Sequence, residues 1–376
     1  MNFERLKRFI DTLPTEFALP GAEISVRVAH KELFHYTVGV SDLALGTPLS
    51  GGELYYFYSA TKPITCAAVL QLFERGYIGL NDPIERYLPE FASPVVRLPD
   101  GTLEKSKRSI SIAHLLTMTS GIDYNVKTSA IEEVRARTDG RCPTREIVRA
   151  IASRPLHFHP GERWLYGLSH DVLAALIEVV SGMRYSDYIA ENIFRPLGMT
   201  NSYFHPNDEI LSRMTTPYAR RTAGGEPLPK VNFLALGDEY ESGGASLISS
   251  VDDYALFADA MANGGVGKTG KSILLSNTID LMRENHVGDR MRLDCDWPQL
   301  VGYGYGLGVR TLISRSAAGS LSSLGEFGWD GAKGVYLLID PSRKLSVTYA
   351  EHRGEDKYLV QPRLRNLVYA CLDAEE

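Results

Sequence analysis

The chain is β-rich near both ends and helical and loop-rich between them, and this layout constrains the fold more than any other feature of the sequence. Near the start, Ile24, Val26 and Val28 alternate with Ser25 and Arg27. After His30, Lys31 and Glu32 a second β-rich run covers Leu33 to Val40, which predicts a hairpin. Near the end, Val335 to Ile339, the turn Asp340-Pro341-Ser342, and Leu345 to Tyr349 predict another. Each hairpin is flanked by a helix on its outer side. Phe3, Leu6, Phe9, Ile10 and Leu13 share one helical face, with Asn2 as cap and Pro14 as stop, and the spacing of Val360, Leu364, Leu367, Val368 and Cys371 predicts a closing helix. Between the ends, helical periodicity alternates with loops carrying Pro155, Pro160, Gly161, Pro196 and Gly198. The expectation is an α+β protein. Residues 1–85 and 235–376 form one body, an antiparallel sheet flanked by helices, and residues 86–234 form a mainly helical domain inserted into it.

A chain of 376 residues is long enough for two such bodies and for a cleft. With 40 Lys+Arg against 46 Asp+Glu and no basic stretch, it lacks a phosphate-binding footprint, so nucleic acid is not expected as a partner. Glu4 and Asp11 interrupt the first apolar residues, which argues against a secretory leader, and no run approaches the ~18 apolar residues of a membrane span. Cys66, Cys142, Cys295 and Cys371 are far apart and form no CxxC pair, which predicts free buried thiols. A cytoplasmic protein without membrane contact is expected. Its oligomeric state is not readable.

The chemistry concentrates at three places. In YSATKPITCAAVLQLFERG, Ser59 and Lys62 are three residues apart, which in a helix puts them on one face. A serine hydroxyl needs a proton acceptor to become a nucleophile, and a lysine amine whose pKa is lowered by burial and other cations can serve. Pro63 requires Ser59 to lie near the helix start, where free amides and the helix dipole favour an oxyanion. The second place is Tyr166 in PGERWLYGLSHDVLAALIEVVSG, at the end of a loop before a helix that Ser169 is placed to cap and Gly182 to end. The third is Gly328-Trp329-Asp330-Gly331, directly before the strand from Val335, where small residues let a substrate approach the sheet edge.

Each signal alone has a plain structural explanation: a helix start, an interfacial tyrosine, a glycine turn. Together, and in this order, they make the chain similar to the serine β-lactamase and penicillin-binding-protein superfamily, and more narrowly to its class C-related esterases. The resemblance rests on SATK at 59–62, HLLTMTSG at 114–121, FHPGERWLYG at 158–167, FRPLGMTNSYF at 194–204, the glycines of ESGGASLISSVDDYALFA, and WDG at 329–331. It implies a β-lactamase/transpeptidase-like fold. It further implies that Ser59 is the acylated nucleophile, that Lys62 and Tyr166 share the proton transfer, that the backbone amides of Ser59 and Ala332 form the oxyanion hole, and that WDG stands where relatives carry K-T-G.

Two departures bear on the substrate. Leu168 stands where β-lactam-opening relatives have the asparagine of Y-x-N, and it cannot hydrogen-bond an acylamide. Trp329 replaces a lysine and brings no positive charge to a carboxylate. Leu168, Trp329, Asp330 and Gly331 are therefore the expected substrate-binding residues, with Asp330 pointing away from the cleft by strand alternation and the Trp329 indole offering an apolar surface. The resulting expectation is a serine hydrolase cleaving a small ester or amide through an acyl-serine intermediate, carboxylesterase-like, without cofactor. The alternatives are a β-lactamase or D-amino acid peptidase or amidase, an acyltransferase, and a non-catalytic ligand-binding relative.

Other motifs carry less. Gly265 to Ser272, GVGKTGKS, matches a P-loop pattern and contains K-T-G, but it follows a helical stretch rather than a strand, so a solvated loop is expected. His157 and His159 lack a third ligand at a recognisable spacing, so no metal is expected. His170 is expected to face solvent in the first turn of its helix, and Cys66 to pack in the core.

Overall fold

The computed structural model describes residues 2–219 and 226–373. Its strands, in chain order, are β1 (Gly21–Val28), β2 (Lys31–Asp42), β3 (Thr47–Pro48), β4 (Leu54–Tyr56), β5 (Val95–Arg97), β6 (Leu103–Lys105), β7 (Ser202–Tyr203), β8 (Ile248–Ser250), β9 (Tyr303–Tyr305), β10 (Arg310–Leu312), β11 (Phe327–Gly328), β12 (Tyr336–Asp340) and β13 (Leu345–Glu351). The main sheet has the order β3-β2-β1-β13-β12-β11-β10-β9, antiparallel at each pairing. The two expected hairpins therefore join edge to edge. β1 pairs with β13 from Ala22↔Glu351 to Val28↔Leu345, so the first and last strands of the chain lie at the centre of the sheet. Ala29 (φ 48°) and His30 (φ 68°) make the two-residue turn of the first hairpin, and both are left-handed, as a type I′ turn requires.

One face of the sheet is covered by the terminal helices. Leu6, Ile10 and Leu13 of Glu4–Glu16 and Val360, Leu364 and Val368 of Lys357–Leu372 close over Ile24, Val26, Leu338 and Val347. The Asn2 side chain accepts the Glu4 amide at 2.8 Å, but the cap position of the helix is Phe3, which makes no side-chain cap bond. Pro14 does not stop the helix, which continues to Glu16. In the last turn it costs one backbone hydrogen bond, and the buried face of the helix outweighs that loss. The other face carries the helix Val251–Ala262, which lies over β1 and β13. For that reason Glu23 and Ser25, the polar alternates of β1, are buried rather than solvated.

Behind that layer lie the helices Thr61–Glu74 and Ser169–Ser181, packed on each other and buried over most of their length. A Leu→Ala truncation in such a core costs about 2–5 kcal/mol. A small sheet, β4-β8-β7, joins the run before Ser59 to the segment before Val251. The segment Gly265 to Ser272 is a loop closed by a Val266–Ser272 bridge between two helices, with Lys268 and Lys271 exposed. The four cysteines are free; Cys295 is partly exposed and the other three are buried. No helix among the described residues is long and apolar enough to cross a membrane.

Candidate active site

Ser59 sits in a single 3₁₀ turn, Tyr58–Ala60, between β4 and the buried helix Thr61–Glu74. Tyr58 is left-handed at φ 46°, a conformation that costs a non-glycine residue on the order of 1–3 kcal/mol. The surroundings hold it there. Thr61 Oγ1 donates to the Tyr58 carbonyl at 2.6 Å and accepts the Leu247 amide at 3.1 Å, and the Tyr254 hydroxyl donates to the Ala60 carbonyl at 2.6 Å. The Tyr58 ring stacks on Phe233 at 4.8 Å.

Lys62, fully buried, points its ammonium at this turn. Nζ lies 3.3 Å from Ser59 Oγ and donates to the Gly244 carbonyl at 2.9 Å. The glycine pair of ESGGAS makes the approach possible: a Cβ on Gly243 would meet the His170 carbonyl at 2.2 Å. Beneath it, buried Asp171 accepts from the Tyr240 hydroxyl and from Ser242 Oγ, both at 2.5 Å, and Ser242 Oγ accepts the Gly244 amide at 3.2 Å. Burial alone would lower the Lys62 pKa. The tyrosine oxygens of Tyr124 and Tyr166 and the Asp171 carboxylate reverse that, and the net shift is upward. Lys62 is thus held as a cation, against the expectation of a lowered pKa, because its neighbours are potential anions and not other cations.

Tyr166 is presented by two loops that zip together through their backbones. Gly161 N–H donates to the Thr119 carbonyl at 2.7 Å, Leu165 N–H to Met118 at 2.8 Å, and His157 N–H to Gly121 at 2.9 Å, so HLLTMTSG and FHPGERWLYG form one unit. Gly167 is needed beside the tyrosine, since a Cβ there would meet the Ile122 carbonyl at 2.1 Å. The Tyr166 ring lies 4.6 Å from Lys62 Nζ and stacks on Tyr124 at 5.6 Å. Its oxygen accepts a hydrogen bond from Trp329 Nε1 at 3.0 Å.

Trp329 makes a contact that its position in the sequence does not announce. It is buried and grips the tyrosine oxygen, and it is walled by Tyr305 at 5.2 Å and Trp297 at 6.3 Å. Gly331 N–H bonds the Val335 carbonyl and Gly334 N–H bonds the Gly331 carbonyl, which leaves the Ala332 amide outside the turn's own bonds. A Cβ on Gly331 would meet the Phe57 carbonyl at 2.6 Å, so glycine lets this strand end approach the Ser59 turn. Asp330 pairs with buried Arg310 at 2.8 Å. Leu168 is a correction: it packs in the main hydrophobic core and does not belong to the cleft wall.

Ser59, Tyr166, Trp329, Asp330, Gly331 and Ala332 line one cavity of about 170 Å³. Its remaining wall, Trp297, Gln299, Leu300 and Lys357, comes from the segment before β9 and the start of the closing helix. Those residues, with Tyr124, escaped sequence reasoning because no motif marks them. Tyr124 follows HLLTMTSG by three residues, and that spacing was the one available signal. Enclosure pushes its hydroxyl up to about 12.

Two further expectations change. Ser169 does not cap its helix; it is the first helical residue, and its hydroxyl, 2.8 Å from that of Ser120, ties the helix start to the loop of HLLTMTSG. His170 is fully buried, with Nε2 3.2 Å from Cys66 Sγ under Gly308, and burial holds its pKa well below the usual range. His157 and His159 separate onto Asp123 at 3.0 Å and Glu104 at 2.7 Å.

The chain is 31% identical over 394 residues to Esterase EstB of Burkholderia gladioli, covering 97% of this chain and 95% of that protein. It is 28% identical over 290 residues to a lovastatin esterase of Penicillium rubens, covering 69% and 70%. Among solved structures it superposes on EstCE1, described as a hydrolase with promiscuous acyltransferase activity, with a TM-score of 0.80 at 24% identity over 98% of both chains. The family model described as Beta-lactamase matches residues 6–369. A match spanning nearly the whole chain, over a sheet and helices arranged as in the solved relatives, places this protein in the β-lactamase family.

Proposed function

We propose that the protein is a serine hydrolase that cleaves a small ester through an acyl-serine intermediate. The observation that carries the reading is that Ser59 and Tyr166 line one cavity, with buried Lys62 Nζ 3.3 Å from Ser59 Oγ and the Tyr166 oxygen fixed by Trp329 Nε1. With Lys62 cationic, the reactive form has Tyr166 as the phenolate paired with that ammonium, and the phenolate oxygen is the proton acceptor. Ser59 gives its proton to the Tyr166 oxygen while Oγ bonds the ester carbonyl carbon, and the carbonyl oxygen gains the negative charge. The amides of Ser59 and Ala332 receive that charge; removing one such donor elsewhere costs about 10²–10³ in rate. Collapse breaks the bond to the alcohol oxygen, which leaves with the proton held on Tyr166. Water then repeats the cycle on the acyl-serine: its proton goes to Tyr166, its oxygen to the carbonyl, and Ser59 leaves as the alcohol.

Relatives named as esterases support hydrolysis, and those named as acyltransferases favour a second reading in which an alcohol replaces water in the second half. A panel of chromogenic esters and D-amino acid amides on wild type and Ser59→Ala tests the first reading, and product analysis with an added acceptor alcohol tests the second. Equal turnover by wild type and Ser59→Ala would refute both. A localisation in the cytoplasm is part of the same proposal, in keeping with four free cysteines of which three are buried.

A further inference from the structure

We propose that Lys357 selects the substrate, and that the ester it selects carries an anionic group, a carboxylate in the simplest case. This deepens the hydrolase reading and rests on it. The sequence offers no cation at the strand position held by Trp329, yet the fold supplies one from the first residue of the closing helix: Lys357 lies in the wall of the cavity that contains Ser59 and Ala332.

Asp330, the other charged residue of that wall, and the charged neighbours of Ala332 and Lys357 each have a partner, whereas Lys357 has none among the described residues. Asp330 is taken by Arg310 at 2.8 Å. Asp356 and Glu355, the two acids directly before Lys357, are taken by buried Arg353 at 3.1 and 3.9 Å. Arg353 is fixed in turn by donating to the backbone carbonyls of Phe17 and Ala18. Lys62 is turned inward onto Ser59 and Gly244. Lys333, next to Ala332, reaches away to the Tyr218 carbonyl at 3.4 Å. Among the described residues Lys357 makes no ion pair and no side-chain hydrogen bond. It also stands at the N-terminal end of a helix, where the macrodipole adds positive potential and gives a lysine no local support. An uncompensated ammonium on the wall of a narrow cleft favours a ligand with a negative charge, and low-dielectric walls focus that field onto the entering substrate. The role is one of binding and orientation, so the bond-breaking steps are those already given.

The test compares two matched pairs of esters at equal size: 4-nitrophenyl hydrogen adipate against its methyl ester, with the charge on the acyl side, and 4-acetoxybenzoate against its methyl ester, with the charge on the leaving group. Rates are corrected for spontaneous hydrolysis. Wild type is expected to favour the anionic member of at least one pair by about tenfold in kcat/KM, as for a charge-assisted contact. Lys357→Met should bring that ratio to about one, Lys357→Glu should invert it, and Lys357→Arg should restore most of it. Raising the salt to 0.5 M, an assay condition of about 4 Å screening length, should shrink the wild-type ratio. Ser59-dependent hydrolysis of the neutral esters with no charge preference, or a preference that survives Lys357→Met, overturns the role of Lys357 and leaves the hydrolase reading standing. Absence of Ser59-dependent hydrolysis of all four esters overturns both.

Discussion

Trp329 Nε1 donates a hydrogen bond to the Tyr166 oxygen at 3.0 Å, so the residue that replaces a lysine in the resemblance to K-T-G proteins holds the proposed proton acceptor. Trp329→Phe keeps an aromatic ring in the cage and removes only the donor. A hydrogen bond to a group that carries charge during the reaction contributes about 1.5–3 kcal/mol, which corresponds to a loss of roughly 10- to 100-fold in kcat. Steady-state kinetics on a p-nitrophenyl ester measure it. An unchanged kcat would show that the indole N–H has no part in proton transfer.

Size disfavours bicyclic β-lactams. A cavity of about 170 Å³ falls below the ~300–1,000 Å³ usual for drug-sized ligands. Small esters such as p-nitrophenyl acetate or butyrate should exceed a chromogenic cephalosporin in kcat/KM by orders of magnitude. Comparable values for the cephalosporin would restore the β-lactamase alternative.

Lys268 and Lys271 sit exposed on a loop that follows a helix, so the P-loop resemblance has no strand behind it. Lys271→Ala should change stability by no more than about 0.5 kcal/mol and leave ester hydrolysis intact. ATP should not raise the melting temperature. An ATP-dependent rise abolished by Lys271→Ala would contradict the assignment.

Glu351 provides a pH signature independent of catalysis. Burial raises its pKa from 4.5 to about 7, and hydrogen bonds from the Tyr349 hydroxyl at 2.7 Å and the Gly354 amide at 2.8 Å offset only part of that. Between those two values the folded state binds the proton and the unfolded state does not, so stability falls as pH rises from about 4.5 to 7, by roughly 3 kcal/mol from this group. Glu351→Gln removes the titration. Thermal unfolding at pH 5 and pH 8 should show wild type losing more stability on going to pH 8 than the variant does; equal losses would contradict the raised pKa.

How much of this was legible follows from what each signal depends on. The two hairpins and two terminal helices were readable because alternation and helical spacing report local burial, and their pairing through β1 and β13 follows from bringing both ends into one sheet. Ser59, Lys62, Tyr166 and Trp329 were readable as motifs, and the structure brings the four together. Their electrostatics were not. Whether Lys62 is raised or lowered depends on Tyr124, Tyr166 and Asp171, which only the fold gathers around it. His170 was misplaced because a polar residue in a first helical turn reads as solvated, whereas Gly308 and Cys66 close over it. Lys357 was invisible because nothing local marks a lysine at a helix start as part of a cleft far away in the chain.

The central claim is that Ser59 becomes acylated with Lys62 and Tyr166 acting as one unit. Intact-protein mass spectrometry after rapid mixing with a p-nitrophenyl ester or a fluorophosphonate, followed by peptide mapping, tests it most directly. A single adduct is expected on Ser59 in wild type, with none in Ser59→Ala. Lys62→Ala and Tyr166→Phe should each slow labelling by about 10³-fold or more, and the double variant should be little slower than either single one. No adduct on Ser59, or near-wild-type labelling in Tyr166→Phe, would contradict the account.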